Sequence, residues 1–329
     1  MNGVKKVAVL GAGAWGTALA LVLSRNKNAV KLWTHRADQS DELRKRTNER
    51  YLPGVALPGD WEICTDIHEA VRSVEMVVAA VPSKAFREVM SQVAEVRCPI
   101  VSVTKGIEYD TGMTMTKVLE DCVPSAPRAA LSGPTLALEV ARGFPGAIVA
   151  ASESTTVAEQ VQALFHRPEF RVYTSIDLVG VELGGALKNV IAIAAGVGDG
   201  VGLGENSKAA LVTRALAEMR RLGMACGAQA ETFAGLSGLG DLTVTCFSQQ
   251  SRNRKFGERL GRGEKVEHVL ATATSVAEGY PTARSAYRLA RRLEVETPLI
   301  DEVYAFLYEG KNLKDSLRDL TTRSSKAED

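Results

Sequence analysis

Lys6-Val7-Ala8-Val9-Leu10, then Gly11-Ala12-Gly13-Ala14-Trp15-Gly16, then Thr17-Ala18-Leu19-Ala20-Leu21-Val22-Leu23: this unbroken stretch decides the fold. A short apolar run with strand character stops at a G-x-G-x-x-G string, and an apolar helix pattern continues from it. The string alone is weak, because a chain with 29 glycines among 329 residues holds about 0.2 chance matches. Its flanks give it weight. A strand before it and a helix after it aim backbone amides and the positive end of the helix at one point, where a pyrophosphate binds. The alternative, a glycine-rich turn without a ligand, leaves the close spacing of Gly11, Gly13 and Gly16 without a purpose beyond turning.

Outward from this stretch, strand-like and helix-length segments alternate to about residue 175. Ala29-Val30-Lys31-Leu32-Trp33, Met76-Val77-Val78-Ala79-Ala80, Ile100-Val101-Ser102-Val103, Ala129-Ala130-Leu131 and Ala147-Ile148-Val149-Ala150 are the further strands expected. Their connections are of crossover length, which predicts a parallel, doubly wound α/β sheet. After about residue 178 helical periodicity takes over in 179–195, 207–222 and 282–293, so an all-helical second half is expected. The division expected is 1–178, a dinucleotide-binding domain; 179–320, a helical substrate domain; and 321–329, a disordered polar tail with no apolar anchor. Gly196 to Gly204, with glycine at alternate positions, reads as a loop or tight helical connection.

Composition narrows the function classes. With 45% apolar and 24% charged residues the chain matches an ordinary globular protein. Lys plus Arg number 40 against 39 Asp plus Glu, so there is no long-range field to draw in nucleic acid or an anionic membrane, and neither is an expected partner. Any anion must be gripped locally. Apolar runs such as Val190 to Val197 fall short of the roughly 20 residues that cross a bilayer, so no membrane insertion is expected. Five scattered cysteines (Cys64, Cys98, Cys122, Cys226, Cys246) with no C-x-x-C pair read as reduced thiols, and no metal site is expected. The N-terminus has no signal-peptide pattern, which together with the thiols predicts a cytoplasmic location.

A strict NAD binder carries Asp or Glu at the end of the second strand; here that place reads Trp33-Thr34-His35-Arg36. Arg36, with His35, suits a ribose 2′-phosphate, since a guanidinium fork matches that charge. NADP(H) is the preferred cofactor, with NAD(H) possible; a solvated basic turn is the plainer alternative.

A nicotinamide carries hydride, so the protein must supply a proton donor or acceptor. The four histidines sit in unconnected polar settings. Lys188 does better: Leu183-Gly184-Gly185-Ala186-Leu187-Lys188-Asn189-Val190-Ile191-Ala192-Ile193 is a helical stretch with almost no other charge, where burial favours the neutral amine. Against this stands a lysine that merely runs its methylenes along the core. Gly184-Gly185 and Asn189 weigh the other way, offering room for a ligand and an orienting amide. Three further segments carry donors: Thr104-Lys105-Gly106 after the 100–103 strand, Ser132-Gly133-Pro134-Thr135 opening a helix at Leu136, and Gly238-Leu239-Gly240-Asp241 leading through Thr245 to Ser251-Arg252-Asn253-Arg254.

Together with Val81-Pro82-Ser83 and Glu182-Leu183, this ordered set of motifs resembles the bacterial NAD(P)-dependent glycerol-3-phosphate dehydrogenases over about residues 6 to 318. The resemblance implies a Rossmann-type doubly wound sheet joined to an all-helical C-terminal domain, usually as a homodimer. It implies interconversion of dihydroxyacetone phosphate and sn-glycerol 3-phosphate for phospholipid synthesis. It makes Lys188 the proton acceptor in the oxidising direction, with Lys105 and Asp241 beside the reacting oxygen. It puts the substrate, a small phosphorylated three-carbon compound, against Lys105, Gly133, Thr135, Lys188, Asp241, Ser251, Arg252 and Asn253. Its cofactor positions are Gly11, Gly13, Ala14, Trp15, Gly16, His35, Arg36, Lys105, Ala137, Arg252, Val276 and Glu278.

Two rivals remain at this level. A related dehydrogenase acting on a hydroxy acid such as 6-phosphogluconate or pantoate needs a second anion cluster comparable to Ser251-Arg252-Asn253. A non-catalytic NADPH-sensing regulator needs no Lys188, Lys105 and Asp241 together.

Overall fold

The computed structural model describes residues 4–272 and 277–322. Strands β1 (Lys6–Leu10), β2 (Ala29–Trp33), β3 (Glu62–Cys64), β4 (Met76–Ala79), β5 (Ile100–Ser102), β6 (Arg128–Ser132), β7 (Gly146–Ala151) and β8 (Phe170–Ser175) form one sheet in the order β3-β2-β1-β4-β5-β6-β7-β8. Every pairing is parallel except the antiparallel β6–β7 pair. The expected doubly wound sheet is present, with two strands beyond those expected: β3 and the edge strand β8.

Helices cover both faces, which is why the central strands are apolar throughout. In β1, Val7 and Val9 join the core with Leu19 and Leu23, while Ala8 and Leu10 join the opposite core with Phe86 and Met90. Strand order reverses between β1 and β4, and ligands of such sheets bind at the carboxyl ends of the strands at that reversal. Gly11 lies there at φ +115°, and a Cβ on it would stand 2.5 Å from the Ala80 carbonyl oxygen at the end of β4. The first glycine is required by both its conformation and its neighbour.

From Leu178 to Thr321 the described residues contain helices and no strand. Their centre is the helix Leu178–Gly200, buried along nearly its whole length. By length and a mean hydropathy of 1.6 its apolar window could cross a bilayer, but 89% of that window is buried inside the protein, which makes it a core helix, in keeping with the expectation of no membrane insertion.

Its last turns correct an expectation. Gly196, Gly198 and Gly200 are helical rather than looped, and the connection shrinks to the few residues before the next helix, Glu205–Ala225. Packing explains this. A Cβ on Gly196 or Gly200 would overlap backbone of the helix Arg252–Gly261, and one on Gly257 or Gly261 would overlap backbone of Leu178–Gly200. Glycine's unfavourable helix propensity, roughly 1 kcal/mol per residue against Ala, is offset by the close contact of two helices. The expected tail begins one residue early, since the helix Leu313–Thr321 takes in Thr321, and residues 323–329 lie outside the described residues.

Candidate active site

The glycine turn is held from behind. The Ala12 carbonyl accepts from Gln39 Nε2 (2.6 Å), Asn48 Nδ2 (3.0 Å) and Thr17 Oγ1 (3.2 Å), and Asn48 Nδ2 also reaches Thr17 Oγ1 at 2.8 Å. All three side chains are buried. Sequence reading missed Gln39 and Asn48, which carry no motif. In front, Gly13 caps the helix Ala14–Arg25 with no side-chain hydrogen bond, and no atom of the described residues lies within 4 Å of where its Cβ would be. Trp15 Nε1 is buried without a hydrogen-bond partner among the described residues. A helix N-terminus with free amides, an open approach and an orphaned donor beside it fit a dinucleotide pyrophosphate. Ala14 and Gly16 complete the turn, with Gly16 packed against Gly11.

At the end of β2 a carboxylate does stand by, though not on the strand. Arg36 Nε donates to Asp38 Oδ1 at 3.1 Å, its Nη2 also pairs with Asp38, and its Nη1 lies 3.5 Å from the Tyr51 hydroxyl. His35 is exposed, its ring tilted 6.1 Å from that of Trp33.

The carboxyl ends of β5 and β6 meet the helical half. Lys105 follows β5, Gly133 follows β6, and Lys188 points down from Leu178–Gly200. Asp241 begins the helix Asp241–Phe247 after a wide turn, Leu236–Gly240, whose Gly240 N–H bonds the Gly235 carbonyl five residues back. Lys188 Nζ donates to Asp241 Oδ1 (2.6 Å) and Thr245 Oγ1 (2.7 Å); Lys105 Nζ donates to Asp241 Oδ2 (2.6 Å) and the Gly133 carbonyl (2.9 Å). Thr245 Oγ1 in turn donates to the Asp241 carbonyl at 2.6 Å. Thr245 belongs to no recognisable motif; its i, i+4 spacing from Asp241 on a helix is its one signal in the sequence.

Asp241 is fully buried and Lys188 is 6% exposed. Lys188 is therefore not in charge-free surroundings: burial pulls its pKa down to about 8 against the opposing pull of Asp241, with Lys105 adding to the depression. Each ammonium has three N–H donors and spends two on the described residues, so each keeps one.

Asn189 Nδ2 donates to the Lys105 carbonyl (3.3 Å), and its Oδ1 accepts from Asn253 Nδ2 (2.9 Å). Asn253 Oδ1 accepts from Gly279 N (2.8 Å), so this amide serves the frame and has one N–H left for a ligand. Ser251 Oγ caps its own helix at Arg254 N (3.2 Å), and Thr135 Oγ1 turns back to the Gly133 carbonyl (3.1 Å). Arg252 is open to solvent yet ringed by protein, a crowding that lowers its pKa. Ala137 opens the short helix Ala137–Arg142 and is half-buried. Val276 lies outside the described residues.

Gly184 and Gly185 hold no room for a ligand: a Cβ on the first would overlap the Ser237 carbonyl, and one on the second the Ser132 hydroxyl. They let the helix settle on the Leu236–Gly240 turn and on the carboxyl end of β6. Two carboxylates fasten the halves there. Glu182 accepts from Thr116 N (2.9 Å) and Thr116 Oγ1 at the start of the helix Met115–Cys122. Glu278 accepts from Ser83 Oγ (2.5 Å) and Ser83 N (3.3 Å) at the start of Ser83–Ser91. Burial raises both pKa values.

Residues 6–158 match the model of the NAD-dependent glycerol-3-phosphate dehydrogenase N-terminus, and residues 177–318 that of its C-terminus. Glycerol-3-phosphate dehydrogenase [NAD(P)+] from Chlorobium limicola is 47% identical, covering 98% of this chain and 99% of the relative. Its namesake from Geobacter sulfurreducens is 48% identical with the same coverage. The crystal structure of a glycerol-3-phosphate dehydrogenase from Coxiella burnetii superposes with TM-score 0.94 at 37% identity, covering 97% of this chain and 99% of that one.

Proposed function

The chain belongs to the NAD-dependent glycerol-3-phosphate dehydrogenase family, and from that premise we propose that it interconverts dihydroxyacetone phosphate and sn-glycerol 3-phosphate with NAD(P)H. The product is a building block for phospholipid synthesis. NADP(H) is the preferred cofactor and NAD(H) is accepted, as the relatives' names allow for both. Residues 1–178 act as the dinucleotide-binding domain and 179–320 as the substrate domain, in a cytoplasmic homodimer.

The observation that carries the reading is the buried Lys188–Asp241–Lys105 cluster at the sheet's carboxyl edge. Gly11, Gly13, Ala14, Trp15 and Gly16 would hold the pyrophosphate, and the bound dihydronicotinamide supplies the hydride. Lys188, as ammonium, gives its third proton to the substrate carbonyl oxygen during reduction and takes it back from the hydroxyl during oxidation. A pKa of about 8 suits a group that must do both near neutrality. Lys105 offsets negative charge on the same oxygen. Arg252, with the remaining N–H of Asn253, takes the phosphate and so holds the keto carbon in place. Gly133, Thr135 and Ser251 line the pocket, and Ala137, His35, Arg36 and Glu278 lie along the cofactor.

Following NADPH absorbance with dihydroxyacetone phosphate, with 2-ketopantoate, and in reverse with NADP⁺ and 6-phosphogluconate tests the reading. Turnover with the first substrate alone is expected; turnover only with a hydroxy or keto acid, or with none, overturns it.

A further inference from the structure

The end of β2 holds a feature the reaction does not explain. Arg36 presents the two N–H groups of its fork, Nε and Nη2, to Asp38, while Nη1 faces the Tyr51 hydroxyl. These are the donors that a ribose 2′-phosphate would take in a bidentate grip. Asp38 is exposed, with 69% of its side chain accessible, so no packing demands the pair. It sits in the first turn of the helix Ala37–Arg44, behind an Arg36 N-cap tied to Thr34. The loop is in turn tied to the glycine turn, because Thr34 Oγ1 donates to Gln39 Oε1 (2.7 Å) and Gln39 Nε2 to the Ala12 carbonyl. Arg36 and Asp38 are therefore registered to the dinucleotide cradle.

Resting on the assignment of Arg36 to the 2′-phosphate, we propose that Asp38 sets the cofactor preference by occupying the Arg36 fork. A phosphate arriving at Arg36 must displace a carboxylate of its own sign or share the fork with it. A free 2′-hydroxyl carries no charge and meets no such competition; the Asp38 carboxylate is an acceptor for it. The pair thus narrows the margin between the two cofactors from the phosphate side.

The test is equilibrium binding of NADPH and of NADH, followed by nicotinamide fluorescence without substrate, in the full-length protein and in Asp38→Asn, Arg36→Gln and the double variant. Asp38→Asn keeps size and the helix start while removing the charge. It is expected to tighten NADPH by about three- to fivefold, the scale of an exposed charge pair, and not to tighten NADH. Arg36→Gln is expected to loosen NADPH by about tenfold, the scale of a charge-assisted hydrogen bond, and to erase the effect of Asp38→Asn in the double variant. If Arg36→Gln loosens NADPH but Asp38→Asn leaves the NADPH-to-NADH ratio unchanged, Asp38 has no part in selection and the proposal fails by itself. If Arg36→Gln leaves NADPH binding intact, the 2′-phosphate assignment fails and the proposal with it.

Discussion

Lys105 and Lys188 hold opposite oxygens of one carboxylate, Asp241, each at 2.6 Å. One lysine comes from the loop after β5 and the other from the central helix of the other half, so the reacting cluster exists only when both halves are folded together.

Removing the proton donor isolates its role. Lys188→Ala is expected to lower kcat by about 10²- to 10⁴-fold, the usual range for general acid–base catalysis, with NADPH affinity nearly unchanged by fluorescence titration. A fully active variant would take Lys188 out of the mechanism.

The depressed amine also sets a pH dependence. Reduction needs the ammonium, so kcat/KM for dihydroxyacetone phosphate should fall as pH rises through about 8; oxidation needs the free amine, so its kcat/KM should rise over the same interval. Asp241→Asn removes the group that opposes the depression, so both limbs should move to lower pH while activity drops. Limbs that stay in place in Asp241→Asn would show that another group titrates.

The phosphate grip is separable from the chemistry. Arg252→Ala should raise KM for dihydroxyacetone phosphate about tenfold or more, the worth of a charge-assisted contact. Unphosphorylated dihydroxyacetone, a poor substrate for lack of that contact, should respond little to the same substitution. Equal losses with both compounds would place Arg252 elsewhere in the mechanism.

Stability has its own titration. Glu218 caps the helix Pro298–Tyr308 through Leu299 N (2.9 Å) and Ile300 N (2.8 Å), and burial pushes its pKa from 4.5 to about 7. The folded state then holds a proton that the unfolded chain has lost, so stability should fall as pH rises from about 4.5 to 7, by up to about 3 kcal/mol. Urea melts across that interval should show the slope, and Glu218→Gln should flatten it.

Much of this was legible in the sequence, for reasons that differ from residue to residue. The β1-turn-helix stretch was readable because strand, glycine string and helix are contiguous, and Lys188 stood out as a charge in an apolar helix. β3 was missed because Glu62-Ile63-Cys64 is too short to show a period. The alternation of β8, with Phe170 and Val172 buried and Arg171 and Tyr173 exposed, was passed over at the expected boundary. Asp38, Thr245, Gln39 and Asn48 act through distance in space, which spacing along the chain encodes only where a helix repeats it. The glycines of 196–204 misled because their conformational cost is visible in a sequence, whereas the partner helix that offsets it is not.

That helix pair has a consequence for substrate choice. Arg252 opens one helix, Lys188 rides on the other, and bare backbone touches bare backbone at Gly196, Gly200, Gly257 and Gly261. Backbone seated on backbone leaves the pair little freedom to slide, so the interval from anion grip to proton donor is held as a fixed gauge. A longer or shorter phosphoester would meet one end of the gauge and miss the other.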